Sequence, residues 1–116
     1  MKGIAIGFSD TSKEILKRLE KTEFINEIFI GSSYQKDANI KGSIQIIFPK
    51  QILREKWDKL DLIIFVGSVG ASIRLINSLL SSKDKDPGVI VIDNRGLKII
   101  PLIGAHQSNV QNIALQ

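Results

Sequence analysis

The sequence of 116 residues contains no cysteine and a single histidine. The absence of cysteine excludes disulfide bonds, thiolate metal sites and a cysteine nucleophile within this chain. One histidine also excludes a metal site built from several histidines of the same chain. We therefore expect that the protein holds no metal through its own side chains.

Long hydrophobic runs are also missing. No stretch approaches the ~18 apolar residues of a transmembrane helix, and the short apolar run 1–7 lacks the core of a signal peptide. We expect a cytoplasmic protein without a membrane partner. Aromatic residues are few and do not alternate with basic residues as a base-stacking surface would, so we expect no nucleic-acid partner.

Hydrophobic residues make up 43% of the chain, which is enough for one buried core. We predict that residues 1–116 form a single α/β domain. The 16 Lys and Arg residues exceed the 12 Asp and Glu residues, giving a formal charge of +4. This excess favours an anionic partner by raising the local potential.

Hydrophobic periodicity changes repeatedly between that of a strand and that of a helix. Strands are predicted at 3–8, 24–30, 43–48, 61–66 and 89–93. Helices are predicted after residue 12, at 50–59 and at 71–80, with a polar loop at 34–41 and a last helix from about residue 108. This alternation predicts an open, mostly parallel sheet flanked by helices.

The last third of the chain predicts one antiparallel strand. Asp93-Asn94-Arg95-Gly96 stands between two apolar runs, which is typical of a hairpin with Gly96 in a left-handed position. Pro101 cannot donate a hydrogen bond to a neighbouring strand. The hairpin strand should therefore lie at the edge of the sheet or end near Pro101.

The most informative segment is 62–74, an apolar strand that stops at a turn of small residues and restarts as a helix. Such a turn lies at the carboxyl end of its strand, where open α/β sheets bind ligands, and it presents backbone N–H groups to an anion. Ser68 or Ser72 can cap the helix, and Arg74 can clamp a carboxylate. We predict a substrate-binding site formed by Gly67, Ser68, Gly70, Ala71, Ser72 and Arg74. The alternatives are that the glycines serve only the turn and that Arg74 pairs with a local acid.

His106 is the one side chain whose unperturbed pKa lies near neutrality, so it is the candidate catalytic residue that activates water. It would share a pocket with the Gly67 turn if the chain bends back at Pro101. The alternative is that His106 packs at the start of the last helix. The order Gly67-Ser68-Val69-Gly70 lacks a Gly-x-Ser-x-Gly elbow, which argues against a serine nucleophile.

Three segments together carry a family resemblance, and they are Gly-Ser-Val-Gly-Ala-Ser-Ile-Arg-Leu-Ile at 67–76, Asp-Pro-Gly-Val-Ile-Val-Ile-Asp at 86–93 and Pro-Leu-Ile-Gly-Ala-His at 101–106. In order and approximate spacing they resemble the amino-terminal domain of the cobalamin-biosynthesis G-type proteins, the cobalt-precorrin-5A hydrolases. The match covers roughly residues 60–110. In the family, the histidine is followed by any one residue and then by Gly-Gly-Ala-Asn. This chain keeps the histidine as His106 but lacks the glycine pair.

The resemblance implies a role in cobalamin biosynthesis with an anionic cobalt-corrinoid as substrate. The implied reaction is hydrolysis of the substrate's lactone with release of acetaldehyde. The substrate carries the cobalt, so no cofactor is expected. The family's chain continues into a carboxyl-terminal domain, so a partner domain or a homo-oligomer could complete the site. The alternative is a non-catalytic tetrapyrrole-binding or interaction module that supports another enzyme of the corrin pathway.

Overall fold

A computed structural model describes residues 2–31, 44–82 and 84–104. Its strands are β1 (Gly3–Gly7), β2 (Glu27–Gly31), β3 (Ile44–Ile47), β4 (Leu62–Val66), β5 (Gly88–Ile92) and β6 (Ile99–Ile103). Its helices are α1 (Lys13–Glu20), α2 (Pro49–Lys56) and α3 (Val69–Ile76). Short 3-10 helices precede α1 at Asp10–Ser12 and follow α2 at Trp57–Lys59. The predicted polar loop and the predicted last helix lie outside the described residues.

The six strands form one sheet in the order β3-β2-β1-β4-β5-β6. All pairs are parallel except β5 and β6, which are antiparallel, so the predicted fold class is confirmed. Every residue of β1, β4 and β5 is buried, as expected for parallel strands covered on both faces. The predicted central strand, β4, lies between β1 and β5.

Helices cover both faces of the sheet. On one face α1 buries Ile15, Leu16 and Leu19. On the other face α2 and the turn after it bury Leu53, Trp57 and Leu60, and α3 packs beside them. The chain therefore has an apolar layer on each side of the sheet.

Helix α3 is shorter than the predicted helix, and only some of its apolar side chains are buried. It ends at Ile76 rather than at residue 80. Ile76 is buried and Leu75 and Leu79 pack against the core, whereas Ile73 is 47% exposed and Leu80 is 42% exposed. The apolar side chains that reach the core therefore include Leu75 and Ile76 of α3 and Leu79 just beyond it.

The hairpin between β5 and β6 is confirmed. The N–H of Gly96 donates to the carbonyl of Asp93 at 2.9 Å, and Gly96 has φ +72°. Strand β6 lies at the edge, as Pro101 indicated, but it continues through Pro101 to Ile103, with a register irregularity between Val89 and Ile90. An irregular pairing at an edge accommodates a residue without an N–H.

The chain does not bend back at Pro101, which was the condition for His106 to share a pocket with the Gly67 turn, because β6 continues to Ile103. A Cβ on Gly104 would lie 2.8 Å from Cα of Gly88, the first residue of β5. The described chain therefore ends beside the amino end of β5. The amino ends of the strands are opposite to the turn at Gly67, which follows the carboxyl end of β4.

The strand order reverses between β1 and β4. The chain passes from β1 outward to β2 and β3, and then returns to place β4 and β5 on the other side of β1. In open α/β sheets the crevice beyond the carboxyl ends of two such strands is the usual ligand site. No helix in the described parts of the chain is long and apolar enough to cross a bilayer.

Candidate functional site

Two loops meet at the strand-order reversal. Phe8 and Ser9 follow β1, and Gly67 and Ser68 follow β4. The N–H of Phe8 donates to the carbonyl of Val66 at 3.3 Å, and the N–H of Gly67 donates to the carbonyl of Ile92 at 2.9 Å. These bonds join the carboxyl ends of β1, β4 and β5 into one rim.

Gly67 is required by its backbone and by its neighbour. Its φ is +152°, which L side chains rarely adopt, and a Cβ at this position would clash with the ring of Phe8. That ring in turn stacks on Phe65 with centroids 5.6 Å apart and planes 13° from parallel. The residue that approaches Gly67 closely is therefore an aromatic side chain of the protein itself.

Ser68 caps helix α3. Its Oγ accepts a hydrogen bond from the N–H of Ala71 at 3.1 Å, which settles the choice between Ser68 and Ser72. Ser72 is buried and its hydroxyl donates to the carbonyl of Ser68 at 2.9 Å. Ser72 therefore supports the start of the helix, and the substrate contact predicted for it stays a prediction.

Gly70 is the open position of the turn. It is exposed, its φ is not positive, and a Cβ built on it would meet no atom within 4 Å. In the described parts of the chain no acceptor takes the N–H groups of Val69 and Gly70. These donors lie at the positive end of the α3 dipole, so the first turn of α3 can accept an anion.

Arg74 lies beside helix α2. It is exposed and lines a groove between α2 and α3 together with Lys50 and Arg54, and no residue of the turn 67–72 lines that groove. Gly70 and Arg74 are nevertheless four residues apart on α3, so the substrate contact predicted for Arg74 stays a prediction. Lys50 and Arg54 were missed as partners of Arg74. The sequence does show that Lys50 and Arg54 are four residues apart on one predicted helix. It does not show that α2 packs beside α3.

Asp93 is the carboxylate nearest the turn along the rim, since it follows Ile92. Burial would raise its pKa, but the N–H groups of Leu97 and Lys98, which donate to Oδ1 at 2.8 and 3.3 Å, outweigh burial and lower the pKa. An ionised Asp93 thus holds the hairpin, as the sequence indicated. Asp10, which follows β1, pairs with Lys13 at 3.2 Å.

The predicted catalytic residue His106 lies outside the described residues, so its place at the turn stays a prediction. Across residues 2–31, 44–82 and 84–104, no three His, Asp or Glu side chains are grouped as metal ligands would be. The described rim offers backbone donors, and both of its carboxylates are engaged by neighbouring groups. Its chemistry is therefore that of an anion-binding edge.

Comparison with known proteins shows which sequences this chain resembles. The family described as Cobalamin synthesis G N-terminal matches residues 51–116, a span that includes β4, the Gly67 turn, α3 and β5. A cobalt-precorrin-5A hydrolase from Priestia megaterium is 31% identical over 100 residues, covering 80% of this chain and 25% of that protein. A cobalt-precorrin-5A hydrolase from Salmonella typhimurium is 36% identical over 53 residues, covering 46% of this chain and 15% of that protein.

A solved structure shares the fold. The crystal structure described as a cobalamin biosynthesis protein G homolog from Sulfolobus solfataricus has a TM-score of 0.68 and 24% sequence identity, covering 98% of this chain and 32% of that one. The chain spans no more than about a quarter of the two curated relatives. Because the family match extends over more than half of its residues, the chain belongs to the Cobalamin synthesis G N-terminal family.

Proposed function

We propose that this chain acts in cobalamin biosynthesis as the amino-terminal part of a cobalt-precorrin-5A hydrolase, which opens the lactone of a cobalt-corrinoid and releases acetaldehyde. Family membership and the names of two relatives support this proposal. The substrate would be an anionic corrinoid that brings its own cobalt, so the protein would need no cofactor. The proposed compartment is the cytoplasm.

The observation that carries the proposal is the open first turn of α3 at the strand-order reversal. Gly70 is exposed with empty space where a side chain would be, and the N–H groups of Val69 and Gly70 have no acceptor in the described structure. Acetate and propionate groups of a corrinoid are anions that such donors bind.

In this proposal the base that activates the water is His106. Neutral imidazole takes the proton of the attacking water, and the imidazolium then protonates the oxygen that leaves as the lactone opens. Gly104, two residues before His106, lies at the opposite end of the strands from the turn, so in this proposal the turn holds a carboxylate of the substrate and not the lactone. Ser68, Ser72 and Gly67 keep the turn in shape.

A second candidate is a binding half without its own chemistry. The described rim supplies backbone donors, and both of its carboxylates are already engaged. The chain also spans about a quarter or less of the named hydrolases. In that case a carboxyl-terminal partner domain, or a second copy of the chain, would supply the catalytic base.

The two candidates differ in one assay. The purified chain is incubated with the lactone-bearing cobalt-corrinoid, with and without a carboxyl-terminal partner domain, and acetaldehyde is measured. Release by the chain alone supports the autonomous hydrolase. Binding without release, followed by release once the partner domain is added, supports the binding half. Absence of both binding and release would reject the proposed function.

Gly70 tests where the substrate binds. Gly70→Ala should fold and gain up to about 0.5–1 kcal/mol, because alanine favours a helix over glycine and its Cβ meets nothing. Gly70→Leu should fold equally well but weaken corrinoid binding at least about tenfold, because the larger side chain fills the approach to the N–H groups. Glu20→Leu, which adds leucine at an exposed position at the far end of α1, is the matched control. Unchanged affinity in Gly70→Leu would place the substrate elsewhere.

A further inference from the structure

The groove between α2 and α3 gathers positive charge. Its described lining includes Lys50 and Arg54 from α2 and Arg74 from α3, together with Asn77 and Ser78 just beyond α3. The volume of the groove is about 160 Å³, which suits a small molecule. Its lining in the described residues contains no Asp or Glu.

The arrangement of these charges destabilises the folded protein when no anion is bound. Lys50 and Arg54 are four residues apart on α2, so the like charges lie on neighbouring positions of one helix face and repel each other. Lys50 also lies in the first turn of α2, which contains no acidic residue, close to the positive end of the helix dipole. Arg74 adds a third positive charge from the facing helix.

No carboxylate offsets these charges in the part of the chain that the structure describes. The ion pairs found there join Lys13 to Asp10 at 3.2 Å and Lys56 to Glu27 at 3.1 Å, and neither pair lies in the groove. Glu55 follows Arg54 on α2 but does not line the groove. Its carboxylate accepts a hydrogen bond from Gln51 at 3.3 Å.

A second groove beside α2 provides the contrast. Its lining includes Lys2, Lys56 and Lys59, but also Glu27 and Glu55. Positive charges are therefore balanced by acids in this groove and are not balanced in the one between α2 and α3. The basic character of the α2–α3 groove is thus local and does not reflect only the excess of Lys and Arg over the whole chain.

We propose that the α2–α3 groove binds a small multivalent anion, a molecule with two or more carboxylate or phosphate groups a few ångströms apart. Arg54 and Arg74 each offer a planar fork of N–H donors that matches either group in bidentate fashion, and Lys50 adds a point charge. Asn77 and Ser78 supply neutral donors at the same groove. No residue of the turn 67–72 lines this groove, and the proposal does not depend on the hydrolase function.

The test uses two probes with the full chain, labelled with nitrogen-15, at low ionic strength. Tricarballylate represents the carboxylate source and pyrophosphate represents the phosphate source. At least one probe should shift the amide signals of Asn77 and Ser78. The probe with the lower dissociation constant indicates whether the ligand carries carboxylate or phosphate groups. If neither probe shifts these signals, the proposal is overturned.

Variants assign the binding to the groove. Arg54→Ala and Arg74→Ala should each weaken binding about tenfold or more, because each removes a charge-assisted contact. Lys59→Ala, which removes a lysine from the balanced groove, is the matched control and should bind within about twofold of the unaltered chain. Equal affinities across the three variants would show that only overall charge matters and would overturn the site.

Stability provides an independent readout of the same inference. Without an anion, Arg54→Ala and Arg74→Ala should unfold at the same or a higher urea concentration, because repulsion is relieved. The better probe should raise the unfolding midpoint of the unaltered chain, since it binds the folded state, and should raise that of the two arginine variants much less. A loss of stability in both arginine variants without an anion would show that the arginines serve the fold instead.

Discussion

Gly67 lies directly against the ring of Phe8, so close that a Cβ on Gly67 would overlap that ring. The two residues belong to different loops, one after β1 and the other after β4. Their contact, together with the bond from the N–H of Phe8 to the carbonyl of Val66, fixes the distance between the loops on the two sides of the crevice. The glycine therefore sets the width of the candidate site.

Gly67→Ala should destabilise the protein by about 2–6 kcal/mol, because the positive φ and the overlap with Phe8 each cost about 1–3 kcal/mol. Urea unfolding measures this. Phe8→Leu, which removes the ring, should recover part of the loss in the double variant, while the backbone strain remains. A loss below about 0.5 kcal/mol in Gly67→Ala would contradict the observed packing.

The turn itself was predictable from sequence, but its cause was not. Small residues after an apolar strand indicated Gly67 as a turn position, whereas the ring that excludes a side chain comes from Phe8, far away in the sequence. The same limit applies to Arg74. Its nearness to Gly70 along the chain suggested a shared pocket, yet its partners Lys50 and Arg54 come from another helix.

The two serines of α3 should differ in how they respond to substitution. Ser68→Ala should lose about 1 kcal/mol of stability because the N–H of Ala71 loses its acceptor, and Ser68→Asp should retain most of it because a carboxylate also caps a helix. Thermal or urea unfolding checks both. The exposed Ser78 serves as the control, since Ser78→Ala should change stability by less than about 0.5 kcal/mol.

Ser72→Ala should also lose stability, by about 0.5–1.5 kcal/mol, because it removes a buried hydrogen bond to the carbonyl of Ser68. Corrinoid affinity should not change beyond the effect of unfolding, since the hydroxyl is buried. If Ser72→Ala remained stable but bound the corrinoid about tenfold more weakly, the binding role predicted from sequence would be correct after all.

The order and type of the elements followed from local patterns because β1, β4 and β5 are continuous apolar runs and each helix has one apolar face. The end of α3 was less predictable. The loop after it is held by Asp86, whose carboxylate accepts bonds from the N–H of Ser81 at 3.0 Å and from Nε1 of Trp57 at 3.2 Å. Since Trp57 follows α2, this loop depends on a tertiary contact that periodicity does not show.

Asp86 should make stability depend on pH. Burial would raise its pKa, but hydrogen bonds from Ser81, Trp57 and Ser82 outweigh burial and lower the pKa below 3.8. A lowered pKa in the folded state stabilises the protein fully above the unfolded value, and this stabilisation is lost as pH falls through the folded pKa. Asp86→Asn should therefore be less stable than the unaltered chain at pH 7, and the difference should shrink below about pH 4.

Unfolding by urea at several pH values measures that difference. Asp58→Asn is the control, because Asp58 is exposed and accepts no hydrogen bond from the residues that the structure describes. The difference between Asp86→Asn and the unaltered chain should vary with pH, and that for Asp58→Asn should vary much less. A difference for Asp86→Asn that stays constant from pH 7 to pH 3 would mean that its charge does not stabilise the loop.

His106→Ala should reduce lactone opening by a factor of about 10² to 10⁴ while corrinoid affinity stays within a few-fold, because a general base acts mainly in the transition state. The acetaldehyde assay and a binding titration measure the two quantities, with the carboxyl-terminal partner domain present if release requires it. The limb of the pH–rate profile near the ordinary histidine pKa of about 6.5 should disappear in the variant. Gln107→Ala, the neighbouring substitution, is the control and should retain turnover. If His106→Ala kept both its turnover and that limb, the base would have to come from the partner domain, and the binding-half function would be the better account of this chain.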